Sequence, residues 1–173
     1  MTQRVGNHIR EVQIIAQGGE SSREPIIKES WLRCVQQYGL DPADPREAYI
    51  VPSSELRQHR ERMEQLIRTA RYGLESLYKQ VSGQRYVLLL ADAKGVTVDY
   101  IGDSAFEEEL RRAGLYLGFE WSEARAGTCA VGSCIYSGEA LTVHQTDHFD
   151  GTHTGLSIPN VVWRYPPTGG SPE

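Results

Sequence analysis

The chain has 173 residues, 39% hydrophobic and 24% charged. This is globular usage and excludes a disordered or low-complexity protein. No apolar run approaches the ~20 residues needed to cross a bilayer, and the N-terminal residues 1–13 lack the apolar core of a signal peptide, so a cytoplasmic protein is expected. The net charge of −5 is uneven, +2 over residues 1–85 and −7 over residues 86–173, and it lacks the basic stripe of a nucleic-acid surface.

Residues 1–21 are polar and end in Gly18-Gly19-Glu20-Ser21-Ser22. They read as a loose lead with a short helix around Ile9–Ile15. From Glu24 to Tyr38 a helix is expected. Pro25 suits its first turn, Ile27, Trp31, Cys34, Val35 and Tyr38 recur at helical spacing, and Gly39 sits where a left-handed cap belongs. Pro42 and Pro45 prevent continuation.

A long helix is expected from Ser53 or Ser54 to Val81. Leu56, Met63, Ala70 and Leu77 recur every seven residues, as do Ile67, Leu74 and Val81 beside them. The two rows make a narrow apolar seam flanked by charges, the pattern of a helix that pairs with another helix. Roughly 28 residues at ~1.5 Å each also outrun a small sheet. Leu56, Met63, Ile67, Leu74 and Val81 are therefore the candidate dimer interface, and packing of the seam on the chain's own sheet is the alternative.

Arg85–Ala91 and Val96–Ile101 read as a β-hairpin around Asp92-Ala93-Lys94-Gly95. A helix follows over Ala105–Ala113, with Glu107, Glu108 and Glu109 early and Arg111 and Arg112 late, as the helix dipole favours. Residues 115–126 read as an aromatic loop with Tyr116, Phe119 and Trp121. The small-residue run 127–136 reads as a helix that Gly138 ends, its small residues bringing backbone close either to a ligand or to the sheet it packs on. Ala140–His144 is a third strand, and Val161–Tyr165 can supply one more before a Pro/Gly-rich end. The class is α+β.

Trp121-Ser122-Glu123, Ala126-Gly127-Thr128-Cys129-Ala130-Val131-Gly132, Leu141-Thr142-Val143-His144 and Asp147-His148-Phe149 follow Ser30-Trp31-Leu32-Arg33-Cys34 and Gly39-Leu40-Asp41-Pro42. This order resembles the N-terminal sensory region of sigma-54-dependent transcriptional activators of the acetoin-catabolism-regulator group, over roughly residues 24–157. The resemblance implies a GAF fold, with a central antiparallel sheet flanked by helices and a small-molecule pocket. Along the chain the reading is a loose lead over 1–23, a helical dimerisation region over 24–82, a GAF-like sensory domain over 83–157 and a tail over 158–173 that departs from the family pattern and leaves the sheet short of strands. The resemblance also implies ATPase and DNA-binding output domains. The sequence holds no Gly-x₄-Gly-Lys-Ser/Thr phosphate loop, so neither ATP hydrolysis nor direct nucleic-acid binding is expected of these residues.

The expected partners are a small-molecule effector and a second copy of the chain, with no membrane and no resident cofactor or metal. Phe119 and Trp121 supply apolar walls, as ligand clefts need, and Thr128 and Cys129 supply polar atoms beside small residues. His144 and His148 stand four apart, and with Asp147, Asp150 and His153 they form the only cluster with metal-ligand chemistry. Hydrogen-bonding or surface roles are the preferred reading of this cluster and metal or effector contact the alternative, under which His144 and His148 are the candidate ligand-binding residues. The odd count of Cys34, Cys129 and Cys134 points to a reducing compartment. The five-residue step between the last two matches no common zinc spacing and turns them to different helix faces. Thiol-dependent reduction of free methionine sulfoxide, known in some GAF proteins, is the enzymatic alternative, and a truncated dimerisation module that senses nothing is the third reading.

Overall fold

A computed structural model describes residues 2–44, 47–81, 83, 86–149 and 160–162. The chain divides into two compact units. The first joins residues 1–45 to 128–173, and the second is residues 46–127. The units cut across the boundaries expected from sequence, since the helical region 24–82 is shared between them.

In the first unit, α1 covers Thr2–Ala16 and α2 covers Pro25–Leu32. The lead is therefore a helix more than twice the length of the stretch Ile9–Ile15. Its polar composition masks a stripe at three- and four-residue spacing, Val5, His8, Ile9, Val12 and Ile15, of which His8, Val12 and Ile15 are buried. Gly18, at φ +84°, turns the chain out of α1 while the Gly18 and Gly19 amides donate to the carbonyls of Ile15 and Ile14. After Leu32 the helix widens into a π-helical turn, Arg33–Gln37, closed by the Tyr38 amide on the Arg33 carbonyl.

Further along this unit, α7 covers Ala130–Ser137. It ends at Gly138 in the left-handed conformation. β3 (Leu141–Val143) pairs antiparallel with β4 (Asn160–Val162), with Thr142 opposite Val161. The strand expected over Val161–Tyr165 thus starts one residue earlier, and residues 163–165 lie outside the described residues. Val12, Ile15, Ile27, Trp31, Cys34, Leu40, Ala130, Val143 and Phe149 close into one buried core.

In the second unit the expected helix over 53–81 is two helices, α3 (Ser53–Arg62) and α4 (Glu64–Val81). Met63 breaks it at φ −100°, ψ 6°, where its amide is shared between the carbonyls of His59 and Arg60. The heptad pattern runs through this break because the seam residue Met63 is itself the joint.

β1 (Leu88–Ala91) and β2 (Thr97–Ile101) form the expected hairpin, with a bulge between Leu90 and Ala91. Asp92 builds the turn, its Oδ1 accepting from the Lys94 and Val96 amides. Gly95 sits at φ +85°, and a Cβ there would lie 2.9 Å from the Ser122 nitrogen, so only glycine lets the turn approach that strand-like segment.

The aromatic loop is more ordered than its sequence implied. Phe119 bridges Ile50 and Glu120 bridges Val96, both antiparallel, so residues 118–121 run along β2 as an extended line. The helix expected over 105–113 is a 3₁₀ turn, Ser104–Phe106, followed by α5 (Glu107–Arg112), and α6 (Glu123–Ala126) closes the unit. The α+β class holds. Among the described residues the strands form two separate antiparallel pairs, where one central sheet was expected.

Candidate functional site

The residues selected from sequence fall into both units. In the first, Thr128 has no exposed surface, and its Oγ1 lies 2.6 Å from Ser30 Oγ and 3.6 Å from Cys34 Sγ. Ser30 Oγ also meets Ser133 Oγ at 3.2 Å. This is a buried knot of hydroxyls and a thiol linking α2, the π-helical turn and α7. Each hydroxyl is both donor and acceptor, so the knot satisfies itself without a charge. The small-residue spacing of 126–133 thus reports close packing of α7 on α2.

Cys129 is buried and caps α7, its Sγ accepting from the Gly132 amide at 3.3 Å. Cys34 and Cys134 are also buried, and none of the three cysteines forms a disulfide. His148 is buried, whereas His144 is exposed at the end of β3. The His144 backbone amide donates to Asp147 Oδ2. The two histidines are thus split by burial and do not face one another as they would on a helix. No group of three or more His, Cys, Asp or Glu among the described residues could hold a metal ion. Asp150 and His153 lie outside the described residues.

In the second unit Phe119 and Trp121 are buried on the extended line beside β2. On the hairpin, Tyr100 stacks at 4.6 Å on Tyr116, whose hydroxyl donates to Glu107 Oε1. Burial first, and then the hydrogen bond with Tyr116, push Tyr100 up to about 12.

Charged anchors were missed by sequence reasoning. Arg23 Nε and Nη2 grip both oxygens of Glu11 at 2.9 Å, and its Nη1 reaches Asp147 Oδ1 at 2.6 Å and Thr146 Oγ1 at 2.8 Å. The guanidinium also stacks on Trp31, whose indole N–H donates to the Asp147 carbonyl. One arginine therefore ties α1 to the turn after β3. Its hydrogen bonds hold Glu11 below the usual carboxylate range against the opposing effect of burial, and the same bonds raise Arg23. His8 Nε2 meets the Phe149 carbonyl beside this anchor at 3.1 Å.

The second unit has matching devices. Arg71 Nη1 lies 2.9–3.0 Å from both oxygens of the buried Asp99, and its Nε donates to Glu75. The bond to Asp99 is the main cause of the raised Arg71 pKa. Buried His59 meets Asp92 Oδ2 through Nδ1 at 2.5 Å. The one signal available in sequence was Asp99 itself, a carboxylate at the centre of a strand, which needs a partner once buried.

The candidate interface residues Leu56, Met63, Ile67, Leu74 and Val81 are all half-buried, and Leu77 is 45% exposed. α4 holds no fully buried residue.

No family model matches this sequence. The Acetoin catabolism regulatory protein of Cupriavidus necator is 59% identical over 136 residues, which is 79% of this chain and 20% of that protein. The Acetoin dehydrogenase operon transcriptional activator AcoR of Bacillus subtilis is 26% identical over 137 residues, 79% of this chain and 21% of that protein. The chain thus spans about a fifth of the length of these curated relatives. One chain of the crystal structure of the E. coli DhaR(N)–DhaL complex shares the fold, with a TM-score of 0.68 at 20% identity. That likeness covers 75% of this chain and 43% of the other.

Proposed function

We propose that this chain, which matches a segment about a fifth of the length of the acetoin-catabolism-regulator-like transcriptional activators, is a small-molecule-sensing input domain of GAF type. The observation that carries the reading is the 59% identity to the Cupriavidus necator regulator over 136 residues. The relatives are regulators, which favours sensing over turnover. The buried Cys129, engaged as a helix cap, favours a structural thiol over a reductase nucleophile.

The proposed mechanism is a population shift. An effector that binds one arrangement of the domain better than another biases an output carried elsewhere, and a coupling of ~1–3 kcal/mol suffices. Phe119 and Trp121 are the proposed effector-contacting residues; Thr128, Cys129, His144 and His148, expected from sequence to join them, belong to the other compact unit, where Thr128 and Cys129 are engaged in packing. The half-exposed apolar face of α4 supports a homodimer as the signalling species. ATP hydrolysis and DNA reading are placed outside these residues. A cytoplasmic location fits a regulator, and no described helix is long and apolar enough to cross a membrane.

Acetoin, the compound in the relatives' names, is the first effector to test, followed by other small hydroxyketones and diols. Thermal unfolding with each should show a saturable rise in Tm, since a ligand at 100 times its Kd adds about 2.7 kcal/mol. Phe119→Ala and Trp121→Ala, each compared with its own ligand-free baseline, should shrink that rise. A flat response across the panel, with no heat in calorimetric titration, would sink the sensing reading.

A further inference from the structure

A groove of about 400 Å³ opens where α3 meets α4. Leu56 and Ile67 are its apolar lining, and exposed Arg57, Arg60, Glu61 and Glu64 stand around them. Glu64 pairs with Arg68 on its own helix at 3.1 Å, while Arg57, Arg60 and Glu61 have no ion-pair partner among the described residues. An apolar strip rimmed by charges, three of them without an ion-pair partner among the described residues, is the composition of a contact surface.

The order of the charges selects the occupant. Two arginines precede two glutamates, and the pattern +57, +60, −61, −64 is the reverse of itself with signs exchanged; Arg68, which also lines the groove, stands outside this pattern as the intrahelical partner of Glu64. Two copies laid antiparallel about a two-fold axis near residues 60–61 bring Arg57 to Glu64 and Arg60 to Glu61 at both ends of the contact. Leu56 then comes beside Ile67 of the other copy. Laid parallel, each arginine meets its own twin and each glutamate likewise, which is repulsive. A two-fold contact must be self-complementary, and only the antiparallel order satisfies this.

We infer that a second copy of this chain occupies the groove, with the α3–α4 junctions crossing antiparallel and the Arg57, Arg60, Glu61 and Glu64 rim setting the orientation. This rests on the homodimer reading above and adds its geometry.

Cysteine cross-linking on the whole chain tests it, because the native thiols are buried and introduced surface thiols react alone. Ser54 and Thr69 are exposed on α3 and α4. A mixture of Ser54→Cys and Thr69→Cys chains should yield a disulfide-linked heterodimer. Ser54→Cys alone should stay unlinked, its twin lying about 20 Å away along the axis. In sedimentation equilibrium, Arg57→Glu with Arg60→Glu should raise the dimer Kd about tenfold or more. Adding Glu61→Arg and Glu64→Arg should return it to within about threefold of wild type. Self-linking of Ser54→Cys, or failure of the fourfold swap to restore affinity, overturns the antiparallel contact and leaves a dimer standing. A wild-type chain that stays monomeric at high concentration removes both the contact and the homodimer reading, while effector binding is still judged by the thermal shift.

Discussion

The α1–α2 pair and the α3–α4 pair carry the same kind of apolar periodicity and meet different fates. In the first unit the stripe is spent: Val12, Ile27, Trp31 and Cys34 are all at most 2% exposed, and even the serine between them is buried on a hydroxyl partner. In the second unit the longer and more regular seam leaves every member of α4 at least partly open to solvent. Periodicity states that a helix has a face. How much of that face the chain covers depends on what packs against it, and a two-stranded hairpin covers less of an 18-residue helix than a layer of helices covers α2.

The largest expected effect tests that contrast directly. Trp31→Ala should cost about 3–5 kcal/mol in denaturant unfolding, because it opens a cavity under α1 and strips Arg23 of its stacking partner. Leu77→Ala, at a seam position 45% exposed, should cost less than ~1 kcal/mol in the isolated chain. Equal costs would break the comparison and mean that α4 is as well covered as α2.

A middle-sized effect asks what holds α4 down if apolar burial does not. Asp99 is only 6% exposed and sits in the middle of β2. Arg71→Ala should therefore cost about 1–3 kcal/mol by leaving that carboxylate buried without its cation. Pairing it with Asp99→Asn should recover part of the loss, and a double-mutant cycle reads the coupling. A cycle with no interaction term would hand the role back to the apolar seam.

Element types were legible where one local signal dominated. The hairpin was readable from alternation around Asp92–Gly95, the end of α7 from Gly138, and the start of α2 from Pro25. What was not legible depended on distant partners. Nothing in Thr2–Ala16 says that its stripe meets Trp31, so a polar segment looked loose. Phe119 and Glu120 are each paired with a single residue far away in sequence, which leaves no alternation to read. The small residues of 126–133 were legible as close approach. That they close on Ser30 and Cys34 required α2 to be in place.

The anchors supply the subtlest contrast, because Arg23 and Arg71 each join two carboxylates. Glu11 is held below its ordinary range by the Arg23 hydrogen bonds. A carboxylate with a depressed folded pKa contributes stability that is present above its unfolded pKa and is lost as pH falls through its lower folded value. Unfolding free energy followed from pH 6 downwards should therefore decline more steeply in the wild type than in Glu11→Gln, which keeps an acceptor for Arg23 but has no proton to gain. The difference should be modest, since Glu11 keeps about a third of its side-chain surface in water and solvent screens the pair. It should also persist when Arg71 is replaced, because that anchor belongs to the other compact unit and shares no partner with this one. Identical acid profiles for the wild type and Glu11→Gln would mean that α1 is held by Val12, Ile15 and the Phe149 carbonyl alone, and that the charge on Glu11 is incidental to it.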